Sequence, residues 1–226
     1  MNLTEHYNEL YESSIRMIEN EDYKTDLLID SPNDRRFGIT LLIRPPENIK
    51  NRIQVFLKDL QQVDSSQYYY PSSDIHITVM SIISCYEGFQ LDQILIPNYI
   101  DLIKESLSGI DRFEIKYKGI TASDSGIMIQ GFPENEILNK LRNNLRIKFK
   151  NSDLEQSIDK RYSIQTAHST AVRFRRKLQN KNEFLKIIES YKNADFGSFE
   201  IKELELVFND WYQRERNSKL LEKFRI

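Results

Sequence analysis

One cysteine, seven glycines and no long apolar run set the first limits on this chain of 226 residues. The single thiol, Cys85, cannot close an internal disulfide, which fits a reducing, cytoplasmic setting. It follows a strand-like stretch, where a thiol is more often a small buried hydrophobe than a nucleophile. So few glycines, and no Gly-rich phosphate loop among them, leave little for a Rossmann or P-loop reading. No CxxC pair, heptad run or low-complexity tract is present. The opening "MNLTEHYNELYESS" has neither the basic nor the apolar region of a signal peptide, and no stretch approaches a membrane span. A net charge of −2 with both signs interspersed argues against a duplex-DNA grip, while a nucleotide or short strand stays open.

What is present describes a folded protein: 39% hydrophobic and 29% charged residues, in a length suited to one compact bilobal unit. Residues 3–29 carry apolar side chains at near-helical spacing and predict a helical N-terminal extension, ending before residue 36. "FGITLLIRPP" (37–46) predicts a buried strand stopped by two prolines. "ENIKNRIQVFLKDLQQV" predicts a helix with Ile49, Ile53, Phe56, Leu57 and Leu60 on one face. A helix is expected over 97–108, then alternating strands over 113–122 and 126–132, then a helix over 133–149 with Ile137, Leu138, Leu141 and Leu145 inward. Further helix is expected near 181–192 and a strand over 199–211, while "SKLLEKFRI" fits a strand or a helical end.

The chain has three histidines, and two of them sit in matching settings: "DIHITVMSII" and "TAHSTAVRF". In an extended strand, residues i and i+2 share a face, so His76 pairs with Thr78 and His168 with Thr170. Threonine is scarce, roughly one residue in thirty, which makes the repeat hard to ascribe to chance. An imidazole exchanges protons near neutral pH, and a hydroxyl donates to phosphoryl oxygens. Two such units facing each other make an acid–base pair around a phosphodiester, with Thr78 and Thr170 holding the non-bridging oxygens. The plainer account is that a lone strand histidine is a satisfied core residue; it is the repetition that weighs against it.

A zinc site needs three or four convergent ligands, and His6, His76 and His168 would require help from carboxylates such as Asp74; Thr166 occupies the position matching Asp74 in the second motif, so no metal is expected. Arg173, Arg175 and Arg176 cluster after the second motif. Alternation sends Arg173 to the face opposite His168 unless the strand bulges, leaving a solvated strand end or a phosphate contact as its two roles. Tyr68, Tyr69 and Tyr70 would supply ordinary packing or a stacking ring, with Tyr70 a candidate substrate contact. Trp211 is expected in core or edge packing, with a stacking surface as its alternative use.

With "IHITV" and "AHSTA", the sequence resembles the 2H phosphoesterase superfamily, which contains RNA 2′,3′-cyclic phosphodiesterases and 2′,5′ RNA ligases. "FGITLLIRP", "YYYPSSDIHIT", the hairpin and helix from "FEIKYKGITA" to "NKLRNNL", and "IKELELVFND" extend the resemblance over residues 36–226. Arg173 matches the arginine of an H-x-T-x-x-R pattern. Ala171 departs from the larger aliphatic common there, and the first motif lacks a basic residue shortly after it. The resemblance implies an α+β bilobal fold of two antiparallel sheets with outer helices, related by a pseudo-twofold axis around a central groove. It implies His76 and His168 as acid and base, Thr78 and Thr170 as phosphate binders, and no cofactor. The function expected is metal-independent hydrolysis of a cyclic phosphate or a 2′,5′ or 3′,5′ linkage in a nucleotide or RNA end. A non-catalytic nucleotide-binding module and an RNA 2′,5′ ligase are the alternatives.

Overall fold

The computed structural model describes residues 2–226. Nine strands and five α-helices are found among them, beginning with helix α1 (Leu3–Glu19), strand β1 (Arg36–Ile43), helix α2 (Glu47–Val63) and strands β2 (Tyr68–Tyr69) and β3 (Ile77–Glu87). Next come α3 (Ile96–Leu107), β4 (Phe113–Ser123), β5 (Gly126–Pro133), α4 (Ile137–Lys150) and β6 (Ser169–Arg173). The chain closes with α5 (Lys181–Tyr191), β7 (Asp195–Ile201), β8 (Glu203–Asp210) and β9 (Lys219–Arg225).

The strands form two antiparallel sheets, ordered β3-β1-β8-β9 and β2-β6-β5-β4-β7. Alternation explains the outer part of β4, where Phe113, Ile115 and Tyr117 are buried and Glu114, Lys116 and Lys118 are exposed. The apolar stripe of α2 is wholly buried, from Ile49 to Leu60. That helix follows β1 of the first sheet yet packs against β6 and β7 of the second; α4 follows β5 of the second sheet yet packs against β3 of the first. Each sheet is therefore closed by a helix delivered from the other's strands, and the two lobes share one core.

Three element boundaries differ from the sequence reading. Helix α1 stops at Glu19 because Asn20 caps it and Glu21 turns into the left-handed region at φ 59°, so residues 20–35 run as turns and extended chain. Helix α4 starts at Ile137, since β5 runs on to Pro133 and a turn intervenes. The single strand expected over 199–211 is two: Lys202 separates β7 in the second sheet from β8 in the first. "KLLEKFR" is a strand, paired along β8.

Candidate active site

His76 and His168 each stand one residue before a strand, β3 and β6, one from each sheet. Both line a groove of about 430 Å³ together with Thr78, Thr170, Tyr70 and Arg173, a volume typical of small-ligand sites. The structure thus brings all six sequence-predicted residues to one cavity.

Each imidazole is anchored through Nδ1 by the residue two positions ahead. His76 Nδ1 lies 2.7 Å from the Asp74 carbonyl; a carbonyl only accepts, so Nδ1 carries the proton and Nε2 is left for the groove. His168 Nδ1 lies 2.6 Å from the Thr166 hydroxyl. The motifs are also tied to each other. Ser169 Oγ donates to the His76 carbonyl at 2.5 Å, and the buried Tyr117 hydroxyl bonds the same serine. Behind both lies Arg142, 1% exposed, which donates to the carbonyls of Thr78, Val79 and Thr166 at 2.8–3.1 Å.

Burial is the main reason both imidazoles resist protonation. Each pKa falls from 6.5 to about 4, with Arg44 and Arg173 adding repulsion at His76, and Arg142, His76, Arg173 and His6 at His168. Burial also lowers Arg142 to about 10, so its charge persists at neutral pH. Cys85 lines the groove too, but burial raises its thiol to about 12, which keeps it protonated and unreactive.

Arg173 reaches the groove through a bulge. Ile127 of β5 opposes Val172 while Met128 opposes Thr170, so Ala171 is an extra residue in β6. Ala171 and Val172 are both buried, the phase shifts by one, and Arg173 returns to the face of His168 and Thr170. Its Nε donates to the Tyr70 hydroxyl at 3.1 Å. Tyr70 is 1% exposed and offers no free ring face, so its place is to hold Arg173. Arg175 pairs with Asp30 at 3.1 Å, away from this lining.

One residue escaped the sequence reading, and a second stands elsewhere than in the packing favoured for it. Arg142 falls on the Leu138, Leu141, Leu145 stripe of α4, and a charge on an apolar stripe was the available signal. Trp211, expected in packing, lines the groove, with the guanidinium of Arg36 4.7 Å and that of Arg161 4.3 Å from its ring centre. It follows β8 in a turn, where no periodicity marks a side. Among the described residues no three His, Cys, Asp or Glu side chains converge as a cation site, and no helix is long and apolar enough to cross a membrane.

A fold of two antiparallel sheets, with paired H-x-T strands meeting between them, is that of the 2H phosphoesterases. Residues 39–218 match the family model of the AKAP7 2′5′ RNA ligase-like domain, and the chain belongs to that family, within the 2H phosphoesterase superfamily. No curated protein matches the chain significantly in sequence. Among solved structures, TT0787 of Thermus thermophilus is similar in fold with a TM-score of 0.59 at 14% identity, over 83% of this chain and 96% of its own. LigT of E. coli, crystallised in complex with 3′-AMP, gives a TM-score of 0.55 at 11% identity over 84% and 98%. A conserved protein of unknown function from Agrobacterium tumefaciens, ATU0111, gives 0.55 at 12% over 92% and 97%.

Proposed function

We propose that the groove hydrolyses a phosphodiester, a cyclic phosphate or a 2′,5′ or 3′,5′ linkage, in a nucleotide or RNA end. The observation that carries this is the two imidazoles in one cavity, each anchored at Nδ1 and each beside a groove-lining threonine. One neutral histidine takes a proton from water as the water oxygen attacks phosphorus. The other, protonated, gives its proton to the leaving oxygen as the old P–O bond breaks. Proton exchange with solvent then restores the pair. Thr78 and Thr170 donate to the non-bridging oxygens, and Arg173, fixed by Tyr70, adds positive charge where the phosphorane develops negative charge.

His76 and His168 are the catalytic residues in this reading and no metal takes part. Both rings are neutral at pH 7 in the free protein, and the acid gains its proton when the substrate's anionic phosphate enters and favours the imidazolium. The E. coli LigT complex with 3′-AMP supports a nucleotide ligand. The family description, RNA ligase-like, supports including 2′,5′ linkages, and ligation is the reverse of the same step. Residues 36–226 form the bilobal domain of this reading and residues 1–35 its extension, and the lone thiol supports a reducing, cytoplasmic setting.

The test is hydrolysis, with chelator present, of 2′,3′-cyclic nucleotides, 3′,5′-cyclic nucleotides, 2′,5′-linked oligoadenylate and cyclic-phosphate-ended RNA. Turnover lost by about 10²-fold or more in His76→Ala and in His168→Ala supports the assignment. Binding of a panel member without any turnover favours the non-catalytic module.

A further inference from the structure

Ahead of the family-matched residues 39–218, the chain that follows α1 is bonded to both lobes. On the side of the second sheet, the Lys24 N–H donates to the Asp124 carbonyl in the β4–β5 turn at 2.6 Å, and the Asp26 N–H donates at 2.7 Å to the carbonyl of Phe174, the residue after Arg173. On the side of the first, Arg214 Nη1 donates to the Ile29 carbonyl at 3.1 Å, and Asp34 holds Arg36 at the start of β1. Asp26 is the crossing point. Its main chain is bonded to one lobe and its side chain to the other, where Oδ1 accepts from the Tyr212 hydroxyl at 3.0 Å, just after β8.

Tyr212 is fully buried and lines the groove beside Trp211. Its hydroxyl gives its one proton to Asp26 and accepts from Arg36 Nη2 at 3.0 Å. The Arg36 guanidinium in turn stands 4.7 Å from the centre of the Trp211 ring. Asp26 thus bonds the chain neighbour of each of two groove residues, Phe174 beside Arg173 and Tyr212 beside Trp211.

We infer that Asp26 is a positioning residue for nucleotide binding, holding the indole of Trp211 at a set separation from Arg173 so that one ligand meets both. An aromatic face takes a base by stacking and a guanidinium takes phosphate oxygens. A nucleotide gains from both at once only if their separation is fixed beforehand at its own. Inorganic phosphate reaches the arginine end alone and gains nothing from the spacing. The inference rests on the nucleotide reading of the groove and not on hydrolysis.

Trp211 is the one tryptophan of the chain, so its fluorescence reports this wall alone. The experiment titrates the full chain with 3′-AMP, follows that emission, and then displaces the nucleotide with inorganic phosphate. Asp26→Ala keeps the backbone bond to Phe174 and releases Tyr212. Its Kd for 3′-AMP should rise by about fivefold or more, with the phosphate constant within about twofold of the parent. Asp26→Asn keeps Oδ1 as an acceptor and should bind as the parent does. Tyr212→Phe keeps the ring without the hydroxyl; it should weaken 3′-AMP as Asp26→Ala does, and adding Asp26→Ala to it should cost nothing further. Without any ligand, acrylamide should quench the emission of Asp26→Ala more strongly than that of the parent. With a substrate in hand, KM carries the loss and kcat stays within about twofold. Unchanged 3′-AMP affinity in Asp26→Ala overturns the inference, as does an equal loss of nucleotide and phosphate, the mark of a merely structural role. A parent that binds 3′-AMP and hydrolyses no member of the panel sinks the hydrolase reading alone. A parent that binds no 3′-AMP sinks the nucleotide reading and the ligand half of this inference with it, while equal quenching in parent and Asp26→Ala sinks the positioning half by itself.

Discussion

The hydroxyl of Ser169 donates to the backbone carbonyl of His76 at 2.5 Å, so the residue after one motif histidine holds the main chain of the other. Ser169 is fully buried, on the face of β6 opposite Thr170, and Tyr117 supplies the hydroxyl behind it. Since the serine proton goes to His76, the Tyr117 hydroxyl donates to Ser169, and the bond order runs from β4 through β6 to the start of β3.

Ser169→Ala should therefore strand two buried groups, the His76 carbonyl and the Tyr117 hydroxyl, at a cost of about 1–3 kcal/mol. Because the lost bond joins the motifs, kcat should fall with it while KM stays near the parent value. Denaturant unfolding and steady-state kinetics check both; unchanged stability together with unchanged kcat would show that the motifs hold their spacing without this tie.

The low basicity of the two imidazoles fixes a pH dependence. The acting form needs one ring protonated, yet each pKa is about 4, so this form is a minority at pH 7 and grows as pH falls. Values of kcat/KM should rise from pH 8 toward pH 5, and a profile that falls over that range would contradict the paired mechanism. Stability should move the other way. An unfolded histidine titrates near 6.5, so between 6.5 and about 4 the unfolded chain binds more protons and the fold weakens as pH drops. His76→Gln and His168→Gln should each flatten that loss in a pH series of unfolding curves.

Arg142 carries a buried charge with three backbone carbonyls as partners, two from the first motif and one ahead of the second. Arg142→Met relieves the cost of burying the charge but leaves those acceptors bare, and the second effect is larger: about 2–4 kcal/mol of stability should be lost. Arg142→Lys should not rescue it, since an ammonium cannot reproduce the planar fork that spans carbonyls of two segments. Thermal unfolding of both variants checks this; a lysine variant as stable as the parent would refute the bridging role.

The sequence exposed much of this site because its chemistry is local. The H-x-T spacing places imidazole and hydroxyl on one face of any strand, and the outer part of β4 alternates strictly enough to show a strand. What it hid was set by tertiary contact. The bulge at Ala171 has no signature in "AHSTAVRF", so simple alternation sends Arg173 to the opposite face. Nothing in "FEIKELELVFND" shows that the chain changes sheets at Lys202. The run over 3–29 keeps its apolar spacing past Glu19 because Tyr23 and Ile29 are also buried, but in extended chain and turn rather than helix.

Trp211 gives the last prediction. Its ring stands at the groove wall beside Arg36, which is itself fixed by two bonds to Asp34 at 2.7 and 2.8 Å. Arg161 also lies over the ring, on an exposed segment, with no carboxylate partner within 4.0 Å among the described residues. An indole braced on one rigid guanidinium and covered by a movable one can exchange the second for a nucleobase, and base stacking on an aromatic contributes about 1–3 kcal/mol. Contact with a base remote from phosphorus is uniform binding, made alike in the ground and transition states. Trp211→Ala should therefore raise KM for a nucleotide substrate by roughly 5- to 100-fold and leave kcat within about twofold. Steady-state kinetics on the preferred panel member decide it: a fall in kcat at constant KM would take Trp211 out of substrate binding and return it to the packing role expected from sequence.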